Sequence, residues 1–233
     1  MVFEQTMGRR LAGDRYPGRG IVLGCSPAGA AVAAYFIMGR SVNSRNRVFR
    51  QEPDGIRTQA YNPALMTDPH LIIYHPVRQL GSSLIVTNGD QTDTIRDWLG
   101  RGDSWENALR TRRFEDDGPN WTPRISGILE RDGSCRLAIL KAADPEGKNC
   151  QRCFFEYPAM PGCGYFLHTY AGDGSPLPSF TGEPEHVAIP ADIDAFTREL
   201  WDNLDGDNKI SLFVRYTDPA TGKSEQRIIN RYE

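Results

Sequence analysis

Along most of the chain, short apolar runs are cut by Gly, Pro, Asn and Asp, the pattern of strands joined by turns. Tyr16-Pro17-Gly18-Arg19-Gly20 reads as a turn entering a strand at 21–25. After Ser26-Pro27-Ala28-Gly29, a second apolar run predicts a strand over 31–38. Residues 71–74 and 83–87, aliphatic and β-branched, predict two further strands, with 76–81 as the hairpin loop between them. Residues 48–61 are mixed polar and end in a loop at Tyr61-Asn62-Pro63. Asn88-Gly89 marks a tight turn, after which the spacing becomes helical toward Leu99, with Asp90 or Thr92 as the cap. Ser104-x-x-Asn107 opens a second helix with Trp105, Ala108 and Leu109 on one face. A loop over 116–123 leads to a hairpin of 124–129 and 135–140 across Arg131-Asp132-Gly133. Strands are predicted at 153–157, 165–170, 210–216 and 225–232, a helix at 192–204 and an exposed loop at 171–184. The order implies an α+β fold with a large antiparallel sheet system, read as a single domain over 1–233 with no internal repeat.

Composition narrows the function classes. A hydrophobic content of 39% and a charged content of 24% suit a soluble globular protein, and a formal net charge of -3 supplies no general basic field for nucleic acid. Residues 20–39 carry no charge, but Ser-Pro-Ala-Gly in their middle favours two buried strands over a membrane span. Residues 1–20 lack an apolar core, so the expectation is no secretory leader and a cytoplasmic setting. Arg9, Arg10, Arg15 and Arg19 read as a solvated basic arm. Five cysteines include Cys150-x-x-Cys153, which with Cys163 and His168 makes a candidate Cys3His zinc set. Cys25 and Cys135 lie in apolar runs as small core residues. The four histidines share no spacing with a nucleophile.

The chemistry concentrates in one stretch. Behind the apolar run ending at Gly39 come Arg40, Arg45 and Arg47, interleaved with Ser41, Asn43, Ser44 and Asn46. Guanidinium forks match phosphate or carboxylate, and the short polar side chains add neutral donors and acceptors. The plain alternative is a solvated basic loop.

Ala34-Tyr-Phe-Ile-Met-Gly-Arg-Ser41, Asn46-Arg47, Tyr61-Asn62, Asn88-Gly-x-x-Thr-Asp-Thr-Ile95 and Thr122-Pro-Arg-Ile125 together resemble the archaeal-type IMP cyclohydrolases, in the family's order over residues 16–125. The C-terminal hundred residues carry much less of the match. The resemblance implies a four-layer αββα sandwich with two antiparallel sheets, of Ntn-hydrolase-like architecture. The implied reaction closes 5-formamidoimidazole-4-carboxamide ribotide to IMP with loss of water, without metal or organic cofactor. The implied partner is a purine ribonucleotide, with neither nucleic acid nor membrane, and a homo-oligomer is plausible. Met1 offers no nucleophile for autoproteolysis.

That reaction needs its two arms held in contact, a proton acceptor, oxyanion stabilisation and a cationic phosphate clamp. Arg40, Arg45 and Arg47 are the candidates for phosphate and oxyanion. Tyr61 would donate to the formyl oxygen or relay a proton, or would simply be a turn aromatic packed on Pro63. Asn88, Gly89, Thr92 and Asp93 form the second half of the expected site, or an ordinary turn and helix cap. Ser41, Asn43, Ser44, Asn62 and Arg124 complete the binding set. Two departures from the archaeal pattern stand out. A glutamate lies close to the Thr-Pro-Arg there, whereas Glu115-Asp-Asp-Gly-Pro-Asn-Trp121 precedes it here with an insertion; the acid is then Asp116 or Asp117, and Asp117 is preferred. Phe36 stands where the pattern has arginine, which bears on substrate identity or rate. The alternatives are a purine-nucleotide-binding relative without turnover and a zinc-stapled interaction module.

Overall fold

The computed structural model describes residues 5–66, 69 and 72–232. Its first sheet has six strands in the order β11-β10-β1-β2-β12-β13: β1 (Arg19–Cys25), β2 (Ala31–Met38), β10 (Cys163–His168), β11 (Glu185–Ala188), β12 (Lys209–Thr217) and β13 (Ser224–Asn230). The second has seven, β3 through β9 in chain order: β3 (Val48–Glu52), β4 (Gly55–Gln59), β5 (Val77–Leu80), β6 (Ser83–Thr87), β7 (Arg124–Leu129), β8 (Cys135–Ala142) and β9 (Cys150–Tyr157). Every pairing between these strands is antiparallel.

The sheets bury one face against each other and the other under helices. β2 shows how the sequence arranges this: it is buried throughout, with Tyr35 and Ile37 turned into the core between the sheets and Ala34, Phe36 and Met38 turned outward. The outward face packs on helices α1 (Met7–Leu11) and α5 (Ile193–Asn203) through Met7, Leu11, Phe196 and Leu200. On the far side, Ile85, Ile128 and Ala138 of the seven-stranded sheet meet Ile95 of α3 (Gln91–Gly100) and Trp105 and Leu109 of α4 (Trp105–Arg110). The layers run helix, sheet, sheet, helix, as expected. A one-turn helix, α2 (Val42–Arg45), follows β2.

Several expectations change. The apolar stretch at 72–74 is not a strand (Leu71 and His70 lie outside the described residues, as does Met1), and β5 occupies the expected hairpin loop. The polar segment after Arg47 folds into the β3–β4 hairpin. Asp90 precedes α3 without a capping hydrogen bond, because its carboxylate pairs with Arg112 and Arg124. Phe36 lies in the outer core against Phe166, so an uncharged residue there leaves the interior between the sheets unaltered. The candidate zinc ligands do not converge. Cys150 and Cys153 belong to β9 and Cys163 and His168 to β10 of the other sheet, and no group of three or more His, Cys, Asp or Glu is gathered for a metal among the described residues. No helix among the described residues is long and apolar enough to cross a membrane.

Candidate active site

Antiparallel register brings one set of strand ends together. Arg19 opposite Ile37 and Gly20 opposite His168 place the start of β1 beside the ends of β2 and β10. Gly18, at φ 81°, lets the chain turn into β1 where a Cβ would lie 2.3 Å from Thr169 Oγ1 and 2.5 Å from the Tyr170 ring. At this end of the sandwich opens a cleft of about 720 Å³, its mouth included, lined by Tyr16, Arg19, Arg40, Ser41, Asn43, Ser44, Arg47, Ile72, Glu115, Asp117, Asn120, Thr122, Tyr170 and Leu177.

The floor is charged and largely buried. Arg47 is 1% exposed and spends two donors on the backbone, Nε to Ser44 O at 2.8 Å and Nη2 to Met38 O at 3.3 Å. Burial and the neighbouring Arg19 lower its pKa from the ordinary arginine value. Arg19 stands 4.0 Å from Glu115, and its Nε is buried without a hydrogen-bond partner. Burial opposes its charge, but Glu115 together with Tyr170, Tyr16 and Tyr74 outweighs that and holds its pKa up. Glu115 is 7% exposed; desolvation raises its carboxyl above the usual range despite Arg19 and Arg124, as expected when the nearest cation is 4.0 Å away. A buried carboxyl poised upward beside two guanidiniums can exchange a proton and steady a developing negative charge.

The walls are fixed by hydrogen bonds. Asp117 accepts from Thr122 N at 2.7 Å and from Thr122 Oγ1 at 2.5 Å, so Tyr170, whose OH lies 2.5 Å from that same Oγ1, must be the donor in that contact. Burial pushes the Tyr170 hydroxyl up to about 12, keeping it protonated. Tyr16 stacks on Tyr170 with centroids 5.8 Å apart. At the mouth, Arg40 lies over the Tyr16 ring, 5.0 Å from its centroid, while the Ser41 and Ser44 hydroxyls close a capping box on α2.

Of the residues expected from sequence, Arg40, Ser41, Asn43, Ser44, Arg47 and Asp117 line this cleft. Arg45 turns away, donating to Gly39 O at 3.0 Å and Asn208 Oδ1 at 3.3 Å. Tyr61 is 54% exposed and stacks on Tyr232, lining a separate groove with Val42, Arg45 and Leu65. Asn62 caps a single 3-10 turn at Pro63–Leu65 and pairs with Asn46. Asn88 braces the back of the Thr122-Pro123-Arg124 segment, donating to Pro123 O at 2.8 Å and accepting from Ile125 N at 2.9 Å. The Thr92 and Thr87 hydroxyls bond each other at 2.6 Å, leaving one of them to donate to Gly89 O. Arg124 reaches Asp90 and Gln91, and Asp93 pairs with Arg78. Asp116 is exposed beside the cleft-lining Glu115 and Asp117.

Sequence reasoning missed Arg19, Tyr16, Tyr170 and Glu115. Arg19 belongs to the cleft rather than to a solvated arm, and Arg10 of that supposed arm is bound to Glu185 and Asp14. The signal available was positional: Arg19 immediately precedes the apolar run of β1, where a side chain at a strand end faces a crevice.

A family model described as IMP cyclohydrolase-like protein matches residues 16–223, which include every residue of this cleft. The chain belongs to that family. It is 34% identical over 131 residues to a protein named IMP cyclohydrolase from Halobacterium salinarum, covering 54% of this chain and 63% of the relative. Proteins of the same name from Methanococcus aeolicus (28% over 159 residues, 66% and 74% covered) and Methanocaldococcus jannaschii (29% over 161 residues, 66% and 73%) are similar in turn. The match to the Halobacterium protein spans less than two thirds of that relative's length.

Proposed function

We propose that this chain is an IMP cyclohydrolase, closing 5-formamidoimidazole-4-carboxamide ribotide to IMP and water. Membership of the IMP cyclohydrolase-like family and the names of its relatives support the reaction class. The observation that carries the reading for this chain is the floor of the cleft: a buried, upward-shifted Glu115 4.0 Å from Arg19, in a cleft that Arg47 also lines. The reaction is intramolecular, so positioning supplies much of the acceleration. Ionised Glu115 takes a proton from the attacking carboxamide nitrogen as the C–N bond forms and the formyl π pair moves onto oxygen. Arg19 and Arg47 stabilise that oxyanion. The proton held by Glu115 passes to that oxyanion to give the hydroxyl. The C–O bond then breaks as the re-ionised Glu115 takes the formamido N–H proton and hands it to the leaving hydroxide, which departs as water and leaves C=N in the ring. Arg40 at the mouth faces the ribotide phosphate, Tyr16 and Tyr170 form a flat wall, and Asp117 holds that wall through Thr122. Five unpaired cysteines favour a reducing, cytoplasmic setting.

The test follows IMP formation by ultraviolet absorbance with the formamido ribotide, for the native chain and for Glu115→Gln and Arg40→Ala. Native catalysis that collapses in Glu115→Gln and shows a raised KM in Arg40→Ala is expected. A native rate no greater than the uncatalysed closure would overturn the assignment.

A further inference from the structure

The strap at 171–182, Ala-Gly-Asp-Gly-Ser-Pro-Leu-Pro-Ser-Phe-Thr-Gly, takes no part in the chemistry above, yet it puts Leu177 into the cleft lining and reaches Arg40 at the mouth. Its base is anchored: Ala171 N donates to Pro178 O at 2.9 Å, Phe180 N to Thr169 O at 3.0 Å, and Lys141 Nζ to Phe180 O at 2.8 Å. Leu177 is buried in the cleft lining and its N–H reaches Asn120 Oδ1 at 3.0 Å. At its tip the Asp173 carboxylate accepts from Arg40 Nη1, and the same nitrogen donates to Gly174 O at 3.0 Å.

We propose that Asp173 is an internal competitor for the phosphate subsite, held on Arg40 when the cleft is empty and exchanged for the ligand's phosphate when it is filled. The inference rests on the nucleotide reading of the cleft. Three features support the exchange. Arg40 and Asp173 are 36% and 35% exposed, and an ion pair this wet is weak enough to be given up. Both strap contacts use Nη1, whereas a phosphate can take the guanidinium through two parallel donors. The Tyr16 ring supports Arg40 from below, so the cation keeps its place when Asp173 leaves. A phosphate held through Nη1 and Nη2 takes the donor that Asp173 uses, and the two anions repel, so binding of one disfavours the other. A neutral nucleoside gains nothing by the exchange, and the return of Asp173 to Arg40 favours release of a phosphorylated product.

Calorimetric titration of the native chain, Asp173→Asn and the charge-keeping Asp173→Glu with IMP and with inosine tests this. Asp173→Asn should bind IMP about three- to tenfold more tightly, with inosine binding unchanged and Asp173→Glu close to native. An IMP affinity that is unchanged or weakened in Asp173→Asn overturns the proposal, weakening meaning that Asp173 orients Arg40 for the phosphate instead. If the native chain binds no IMP, the nucleotide reading fails by itself. Hydrogen exchange with inorganic phosphate then decides the inference: faster exchange of strap amides in the native chain supports it, and no change overturns it.

Discussion

The Arg19 guanidinium and the Glu115 carboxylate face each other at 4.0 Å in the cleft floor, too far for a direct hydrogen bond and too buried for water to screen them well. Such a pair stabilises the fold poorly and suits chemistry.

Glu115→Gln should therefore separate stability from activity. The folded state holds the Glu115 proton more tightly than the unfolded chain, so it binds more protons between the two pKa values, and stability falls as pH rises through that window. At neutral pH the variant should melt higher than the native protein, while its cyclisation rate drops by about 10²- to 10⁴-fold. In the native chain kcat/KM should rise with pH through an apparent pKa above the ordinary carboxylate range, and that limb should vanish in the variant. Thermal melts at pH 7 and a pH–rate profile check both.

A second carboxylate behaves oppositely. Glu185 receives Arg10 Nε and lies 3.1 Å from His168 Nε2, while His168 Nδ1 donates to Tyr170 O at 2.7 Å. Burial raises the Glu185 pKa, but His168 and Arg10 overcome it and bring it down to about 2. Its stabilisation is complete above the unfolded carboxylate value and is lost as pH falls toward 2. Glu185→Gln should cost about 1 kcal/mol at pH 7, the site being partly exposed, and should flatten the acid limb of stability. Urea titrations from pH 7 to pH 3 measure this.

Asn88 acts at one remove from the cleft. Its 1%-exposed side chain satisfies Pro123 O and Ile125 N, the backbone on which Thr122 and then Asp117 and Glu115 depend. Asn88→Ala leaves those groups unpaired, at a cost of about 1–3 kcal/mol. Because the segment shifts rather than the mouth, kcat should fall more than IMP affinity, which steady-state kinetics beside IMP titration would show.

What was legible in the chain follows from how each part is built. β1 and β2 could be read because apolar runs bounded by a Pro-Gly turn have few other uses. The stretch 72–74 looked like a strand by composition, but Thr58 takes its backbone, its hydroxyl donating to Ile72 O at 2.5 Å and accepting from Tyr74 N at 2.9 Å, while Ile72 lines the cleft and the Tyr74 hydroxyl lies 2.9 Å from that of Tyr35. The β3–β4 hairpin was masked by its outward Arg and Gln, although Pro53-Asp54-Gly55 is a turn signal. In the site, Arg40, Ser41, Ser44 and Arg47 were visible because they are neighbours in the chain. Arg19, Glu115 and Tyr170 were not, since register sets the start of β1 beside the end of β10 and only the packing of the two sheets brings the segment before β7 to them.

The far end of the same sheet supplies a control for all of these effects. Gly24 pairs with Gly164 across β1 and β10, and a Cβ on it would sit 2.2 Å from Cys163 O and 2.6 Å from Gly164 Cα. Both obstacles are backbone of the paired strand, so relief requires the two strands to part rather than a side chain to rotate. Gly24→Ala should cost about 1–3 kcal/mol or more by overpacking. Gly206→Ala, with open space around its Cβ, should stay within about 0.5 kcal/mol of native. Arg19, which meets Glu115, lies at the opposite end of β1, so Gly24→Ala protein that remains folded should keep the native kcat/KM. Urea unfolding gives the first quantity and assays well below the midpoint the second; a large loss of kcat/KM in folded Gly24→Ala would mean that the two ends of β1 are mechanically coupled.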